Sequence, residues 1–434
     1  MLETIKNAWK IPELRKKIIF TIVCLFIFRL GSAIPVPFIN RELLTQIMGL
    51  YEGTLLGFMN AMSGGSFSQA NVFALSIQPY INASIIMQLL AVAIPALERM
   101  VKDGGEEGQK KLASITRYVT IALGILQGFA YYTLLRNGVG GTSAINNGGM
   151  NNVFVMIIII ATFTAGTAFI MWLGEQITEN GIGNGISLIL FASIVSRVFP
   201  AGQSIVANIQ NGALSWIAAI AILVVFLAVI AFIVFFDGAE RRLTIQYAKR
   251  VVGRKMYGGR STFLPVKVNM SGVMPIIFAS SITTFPATIA AFFPKPEGGF
   301  WLWMQNNVFS PKSAVYAIVY LLLIVAFSYF YTAIQYNPIE IANNLKNNGG
   351  FIPGFRPGRP TADFIAKVMN KITLFGALFL GIIAVLPIIA GYAVPSMNLS
   401  IGGTSILIVV GVALETVKQL ESQMMMRNYK GFLE

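Results

Sequence analysis

Apolar runs of bilayer-crossing length recur from one end of this 434-residue chain to the other. They fall at roughly 18–37, 72–95, 114–136, 153–173, 184–200, 213–236, 271–293, 314–336, 372–393 and 401–421. A hydrocarbon core about 30 Å thick needs about 20 apolar residues at 1.5 Å rise each, so these runs predict ten membrane helices. Too little chain remains between them for a separate soluble domain. The expectation is one integral membrane domain over residues 1–434, all-α and polytopic. A composition of 55% hydrophobic and 12% charged residues belongs to that class.

The same composition excludes much chemistry. The chain has no His and one Cys, and its aspartates are Asp103, Asp237 and Asp363. A histidine-based active site and a Cys/His metal cluster are both ruled out. Cys24 lies inside the first apolar run, where a small buried hydrophobe is the expected role. No G-x-x-x-x-G-K-[ST] pattern occurs, so energy from ATP or GTP would have to come from a partner. The expectation is a chain that is not an enzyme and needs no cofactor.

Lys and Arg set the orientation, because short basic loops stay cytoplasmic. They concentrate before the first run and in the loops after the second, sixth and eighth runs. Only Arg41, Arg136, Arg197, Lys295 and Lys312 fall on the opposite side, and Arg29 lies within the first run. Both termini are expected in the cytoplasm of a multi-pass protein of the cytoplasmic membrane. The first run is long and lacks a small-residue cleavage site, so it reads as a retained span. The formal charge of +14 sits mostly on that face, where topology and anionic lipid explain it as readily as a docking role.

A short repeat divides the chain. Pro79, Ile81, Ala83 and Ser84 in the second run recur as Pro275, Ile277, Ala279 and Ser280 in the seventh. Both copies fall in the second helix of a five-helix half, approximately 1–200 and 201–434. Five is odd, so the halves must be inverted. Inverted repeats place a conduction path at their interface, which makes the second and seventh helices candidate facing walls.

The runs lack the buried ionisable groups of coupled transporters. Near the repeated motifs they offer Ile81, Ile85 and Ile277, with Asn82, Gln88 and Gln127 as neutral polar groups. A ring of branched apolar side chains resists ions without holding a fixed charge. Between the first two runs, GLYEGTLLGFMNAMSGGSFSQAN is too polar to cross. Its Phe58, Met59, Met62 and Phe67, hinged by Gly57, Gly64 and Gly65, suit either a surface loop or a movable re-entrant segment.

Two basic loops stand out. ERRLTIQYAKRVVGRKMYGGRSTFLPVKVN alternates cations with β-favouring residues and closes on Gly-Gly, as a basic hairpin does. IPGFRPGRP holds Arg356 and Arg359 in a stiff Pro/Gly turn rather than a helix. Either could meet an acidic partner or RNA. A small-solute transporter of inverted-repeat type is the alternative, but the runs offer little to build a compact polar site. An intramembrane protease would need His or a pair of membrane Asp.

Taken in order, ALSIQPYINASIIMQ, WLGEQITENGIGNGISLIL, ERRLTIQYAKR with LPVKVNMSGVMP, and IPGFRPGRPT resemble the SecY family over essentially the whole chain. Ser76 departs from the family's usual Gly and Leu190 from its usual Ile. The resemblance implies a clamshell of two five-helix halves around a central pore. It would translocate unfolded secretory polypeptides across the membrane and release transmembrane segments sideways into the lipid bilayer. It implies a pore ring of Ile81, Ile85, Ile186, Leu190, Ile277 and Ile408, and a plug containing Phe58, Met59, Met62, Ser63, Gly64, Gly65 and Phe67. It implies a lateral gate with Pro79, Asn82, Gln88, Gln127, Pro275 and Ser280. Arg242, Lys249, Arg250, Arg254, Arg356 and Arg359 would dock the SecA motor or the ribosome. SecE and SecG would be further subunits, and the translocating polypeptide with its signal sequence would be the cargo.

Overall fold

A computed structural model describes residues 2–430, apart from 51–59, 61, 138–142, 147, 213–214, 248–249, 253–254, 258–260, 291–298, 309–312 and 394–402. In chain order the helices of the first part are α1 (Leu2–Lys10), α2 (Pro12–Gly31), α3 (Arg41–Leu50), α4 (Gln78–Ala93), α5 (Pro95–Asp103), α6 (Gly105–Asn137), α7 (Asn152–Asn180), α8 (Gly185–Val195) and α9 (Val198–Gln210). The second part holds α10 (Trp216–Asp237), β1 (Glu240–Tyr247), β2 (Arg250–Val252), β3 (Lys255–Tyr257) and β4 (Ser261–Lys267). After these come α11 (Met274–Ala290), α12 (Phe300–Asn307), α13 (Ala314–Gln335), α14 (Pro338–Asn347), β5 (Gly350–Phe351), α15 (Arg359–Ala393) and α16 (Gly403–Lys430).

Every predicted run meets a helix, with boundaries moved by local chemistry. Among the described residues six helical stretches are long and apolar enough to cross a bilayer, or seven if the bent pair α4–α5 is one span. α2 is long enough, but Arg15, Lys16, Lys17 and Arg29 dilute its apolar content. The second run was placed at 72–95, yet α4 starts only at Gln78. Ser76 sits at φ +50°, outside helical space, and Pro79 occupies the first turn, where its missing N–H costs nothing. α4 then turns by 103° into α5 at Ile94, the residue before Pro95, where the α conformation is disfavoured. The fifth run breaks at Ser196 and Arg197 into α8 and α9. The ninth begins well before 372, because Arg359 and Pro360 already belong to the first turn of α15. The stiff turn therefore ends at Gly358, and Arg359 lies on a helix.

Side-chain caps fix the starts of α7, α8, α10, α13 and α14. Asn151, Asn184, Ser215, Ser313 and Asn337 each accept a hydrogen bond from a backbone N–H one turn on. α10 is apolar on all sides, and only Ile233 and Phe236 are buried among its residues. A helix that is hydrophobic all round and still exposed faces lipid. α7 and α8 meet closely at Gly185, where a Cβ would lie 2.0 Å from the Gly174 carbonyl oxygen.

Helix packing repeats between the two parts of the chain. α4 packs on α6, α6 on α7, α7 on α8, and α2 on α8. In the second part α11 packs on α13, α13 on α15, α15 on α16, and α10 on α16 in the same order. α4 against α11 and α8 against α16 join the two sets.

The expected hairpin is present within the stretch the sequence indicated. β1 and β4 pair antiparallel from Glu240–Lys267 to Gln246–Ser261, and β2 pairs with β3 beyond them. The Gly258–Gly259 pair, expected to close the hairpin, does not: Val252 pairs with Lys255, so the chain reverses between them, and 258–260, between β3 and β4, lie outside the described residues. β5, from the second basic loop, adds to β1 through Gln246–Phe351 and Tyr247–Gly350. Leu243, Ile245, Val266, Leu345, Ile352, Ile365 and Met369 form an apolar core beneath this sheet, distinct from the core of the bundle.

Candidate functional site

The six ring candidates come from four helices. Ile81 and Ile85 stand on α4, Ile186 and Leu190 on α8, Ile277 on α11 and Ile408 on α16. The first two pairs have i,i+4 spacing and so share one face of their helix. Ile81, Ile85, Leu190, Ile277 and Ile408 are buried in one apolar cluster, and Ile186 packs against it half-buried. A side chain lining an open aqueous path is wetted, and these five are at most 5% exposed. A constriction built of such side chains would exclude ions by offering nothing to replace their hydration.

The repeated motif lies at the meeting of α4 and α11. Pro79, Pro275, Ile81, Ile277, Ala83 and Ala279 are buried alike. Of the gate candidates, Asn82, Gln127 and Ser280 are buried, and Gln88 is half-buried with its amide donating to Ser84 Oγ at 3.3 Å. The Gln127 carbonyl oxygen is buried without a hydrogen-bond partner among the described residues. α11 also touches α6, which carries Gln127. The wall between the two sets of helices is thus apolar and sparsely polar.

The Gly-rich segment is not a surface loop over its described part. Met62, Ser63, Ser66 and Phe67 are buried, and Met62 belongs to the same apolar cluster as the ring candidates. Gly64 at φ +66° comes so close to α8 that a Cβ would lie 2.9 Å from the Ser193 carbonyl oxygen. Gly65, at φ +89°, would meet nothing within 4 Å. The Tyr131 hydroxyl donates to the Phe67 carbonyl, and their rings lie 4.4 Å apart. Phe58 and Met59 lie outside the described residues.

Sequence reasoning missed the anchors of this segment. Asn71, 1% exposed, donates to the Ser32 carbonyl and accepts from Arg41 at 2.8 Å. Backbone bonds from Val36 to Ala70 and from Val72 to Ile34 tie the same point to the end of α2. A polar residue just before the apolar run VFAL was the available signal for Asn71. Nothing in the sequence paired Tyr131 with Phe67. Arg29 reaches Ser196 Oγ at 3.4 Å, beside the Gly64 contact.

On the sheet, Arg242 pairs with Glu240 at 2.8 Å and covers the Phe263 ring at 4.6 Å from its centroid. Arg356 and Arg359 are exposed. Lys249 and Arg254 lie outside the described residues. Arg250 is placed by its backbone in β2, paired with Tyr257. β5 pairing brings the two basic loops into one structure, which their separation in sequence did not indicate.

Comparison with known proteins agrees over the full length. The profile of the SecY family matches residues 71–417. The protein translocase subunit SecY of Streptomyces galbus is 44% identical over 444 residues, covering 100% of both chains. Among solved structures, one concerns the plug domain of a SecY protein, said to stabilise the closed state of the translocation channel and maintain a membrane seal. It superposes with a TM-score of 0.67 at 17% identity, over 97% of each chain. Sec61 in the canine ribosome–channel complex from the endoplasmic reticulum gives a TM-score of 0.62 at 17% identity, also over 97% of each. The likeness in fold and the 44% identity along the whole chain lead to one conclusion: this chain belongs to the SecY family.

Proposed function

We propose that the chain is the pore subunit of a protein translocase, a gated passive channel for unfolded polypeptide. The observation that carries this reading is the apolar cluster in which α4, α8, α11 and α16 each contribute a branched side chain from among the ring candidates. Such a ring grips a moving chain weakly and indiscriminately, since it makes no directional bond that the next residue must break. The burial of Ile81, Ile85, Leu190, Ile277 and Ile408 supports reading this conformation as the closed one. The segment 60–71, packed against α8 and the apolar cluster, is the plug. The sparsely polar contact between α4 and α11 is the lateral seam through which apolar segments partition into lipid.

The repeated packing order supports two five-helix halves closing as a clamshell, with ten spans in all. Both termini lie in the cytoplasm and the chain resides in the cytoplasmic membrane, as its basic loops require. The exposed cations of the sheet and of the turn at Arg356 form the docking face for an ATP-driven motor such as SecA or for the ribosome. SecE and SecG complete the assembly. The chemistry is not catalytic, and direction comes from the partner.

Photoreactive residues at Ile81, Ile277 and Ile408, probed while SecA drives a stalled secretory chain in membranes, test the reading. Crosslinks from all three to the stalled chain are the expected result. Crosslinks confined to lipid-facing controls on α10 would sink the ring and revive the solute transporter.

A further inference from the structure

α11 begins beside the β-sheet and α13 ends beside α14 and β5, so α12 lies between them at the far end of the bundle. It is short, FWLWMQNN, and carries aromatic side chains where a soluble loop would carry polar ones. Phe300 is 73% exposed and Trp303 50%. At i,i+3 they share one face, and their rings stand 6.1 Å apart at an interplanar angle of 20°. The polar end of the helix folds back, with Asn307 Nδ2 donating to the Trp303 carbonyl at 2.9 Å. α12 packs on α13, whose Ile318 and Leu322 are themselves exposed at i,i+4. An exposed apolar face on a spanning helix is a lipid face, and α12 packs on the helix that carries this one.

We propose that α12 is an interfacial helix that seats Phe300 and Trp303 in the headgroup–acyl boundary of the leaflet opposite the β-sheet. Three features select lipid as the occupant. Tryptophan and phenylalanine bury an apolar body at that depth, and the indole N–H stays within reach of water and ester oxygens. The helix has no charged side chain with which to specify an acidic or basic protein partner. It comes just before α13 in the chain and packs on it, and α13 belongs to a helical stretch long and apolar enough to cross a bilayer. Anchored there, α12 fixes the depth of the outer end of α13 and resists sliding of that helix along the membrane normal.

The test uses the full chain in liposomes at high lipid excess, with Trp9, Trp172, Trp216 and Trp301 replaced by Phe so that Trp303 alone emits. Lipids brominated near the ester end, lipids brominated near the methyl end, and aqueous acrylamide are compared as quenchers. The expected result is blue-shifted emission with greater fluorescence loss from shallow than from deep bromine, and little loss to acrylamide. Strong loss to acrylamide with none to bromine would place the helix in water and overturn the proposal. Loss to neither quencher would mean protein covers it, a second copy of this chain included, and would overturn it equally. If the multiply substituted chain is not recovered, the difference between the unaltered chain and Trp303→Phe isolates the same emission.

Discussion

Replacing Ser76 by Gly is expected to stabilise the chain. Ser76 holds φ +50°, a left-handed conformation that costs an L-residue about 1–2 kcal/mol. Its hydroxyl is buried, with the residue 4% exposed, and has no hydrogen-bond partner among the described residues. An unpaired buried hydroxyl costs about 1–3 kcal/mol. Glycine removes both penalties and returns about 0.5–1 kcal/mol of backbone entropy to the unfolded chain. The net gain is about 1–4 kcal/mol. Ser76→Ala separates the terms, because it deletes the hydroxyl and keeps the Cβ. The expected order of stability is Gly, then Ala, then Ser. Cys24 is the only cysteine and is buried, so a thiol-reactive fluorogenic dye reports unfolding directly during a thermal ramp in detergent or nanodiscs. The midpoint should rise by about 1–4 °C for Ser76→Gly, given the shallow dependence expected of a chain this long. A glycine variant no more stable than the alanine one would refute the strain argument. An alanine variant no more stable than serine would show that the hydroxyl is paired.

Other expectations follow from the seated segment, the ring and the loops. Gly64→Ala places a Cβ against the Ser193 carbonyl at positive φ and should raise ion leak through the idle channel in planar bilayers. Gly65→Ala, strained but unobstructed, should leak less, and equal leak from both would remove the packing explanation. Truncating Ile81 and Ile277 together to Ala should also raise leak, and an unchanged conductance would exclude them from the constriction. Arg356→Glu should abolish motor-driven translocation in vesicles and leave the dye-detected midpoint unchanged, because the side chain is exposed; full translocation would dismiss the turn as a docking point. Arg117→Gln breaks the 2.8 Å pair with Glu175, in which Arg117 is 46% exposed, so solvent screening holds the loss to under about 1 kcal/mol.

Much of this architecture is legible in the sequence because membrane insertion writes it there as length and apolarity. The helix positions, the basic loops and the paired Pro-x-Ile-x-Ala-Ser motifs all act within a few residues of themselves. Helix ends were less legible. The late start of α4 depends on a left-handed Ser76, and the early start of α15 on Pro360 serving as a helix opener rather than a breaker. Contacts between distant residues left no local trace. Asn71 with Ser32, Tyr131 with Phe67, and Gln246 with Phe351 each join segments whose own propensities are satisfied without the partner. The Gly-rich segment illustrates the boundary: its hinges could be read, but its burial depended on α8 offering the Ser193 carbonyl at the right distance.

β5 also has a mechanical meaning. It is only two residues long, yet it fastens the turn bearing Arg356 to the long hairpin, and the small core beneath seals both to the first turns of α15. α15 spans 35 residues, about 50 Å, and carries Pro387 two turns before its end. A push at the basic turn is therefore shared between the sheet and the start of α15. The sheet and the first turns of α15 share one core and are therefore expected to move as one body, whereas Pro387 near the other end of α15 is the place where the helix can bend.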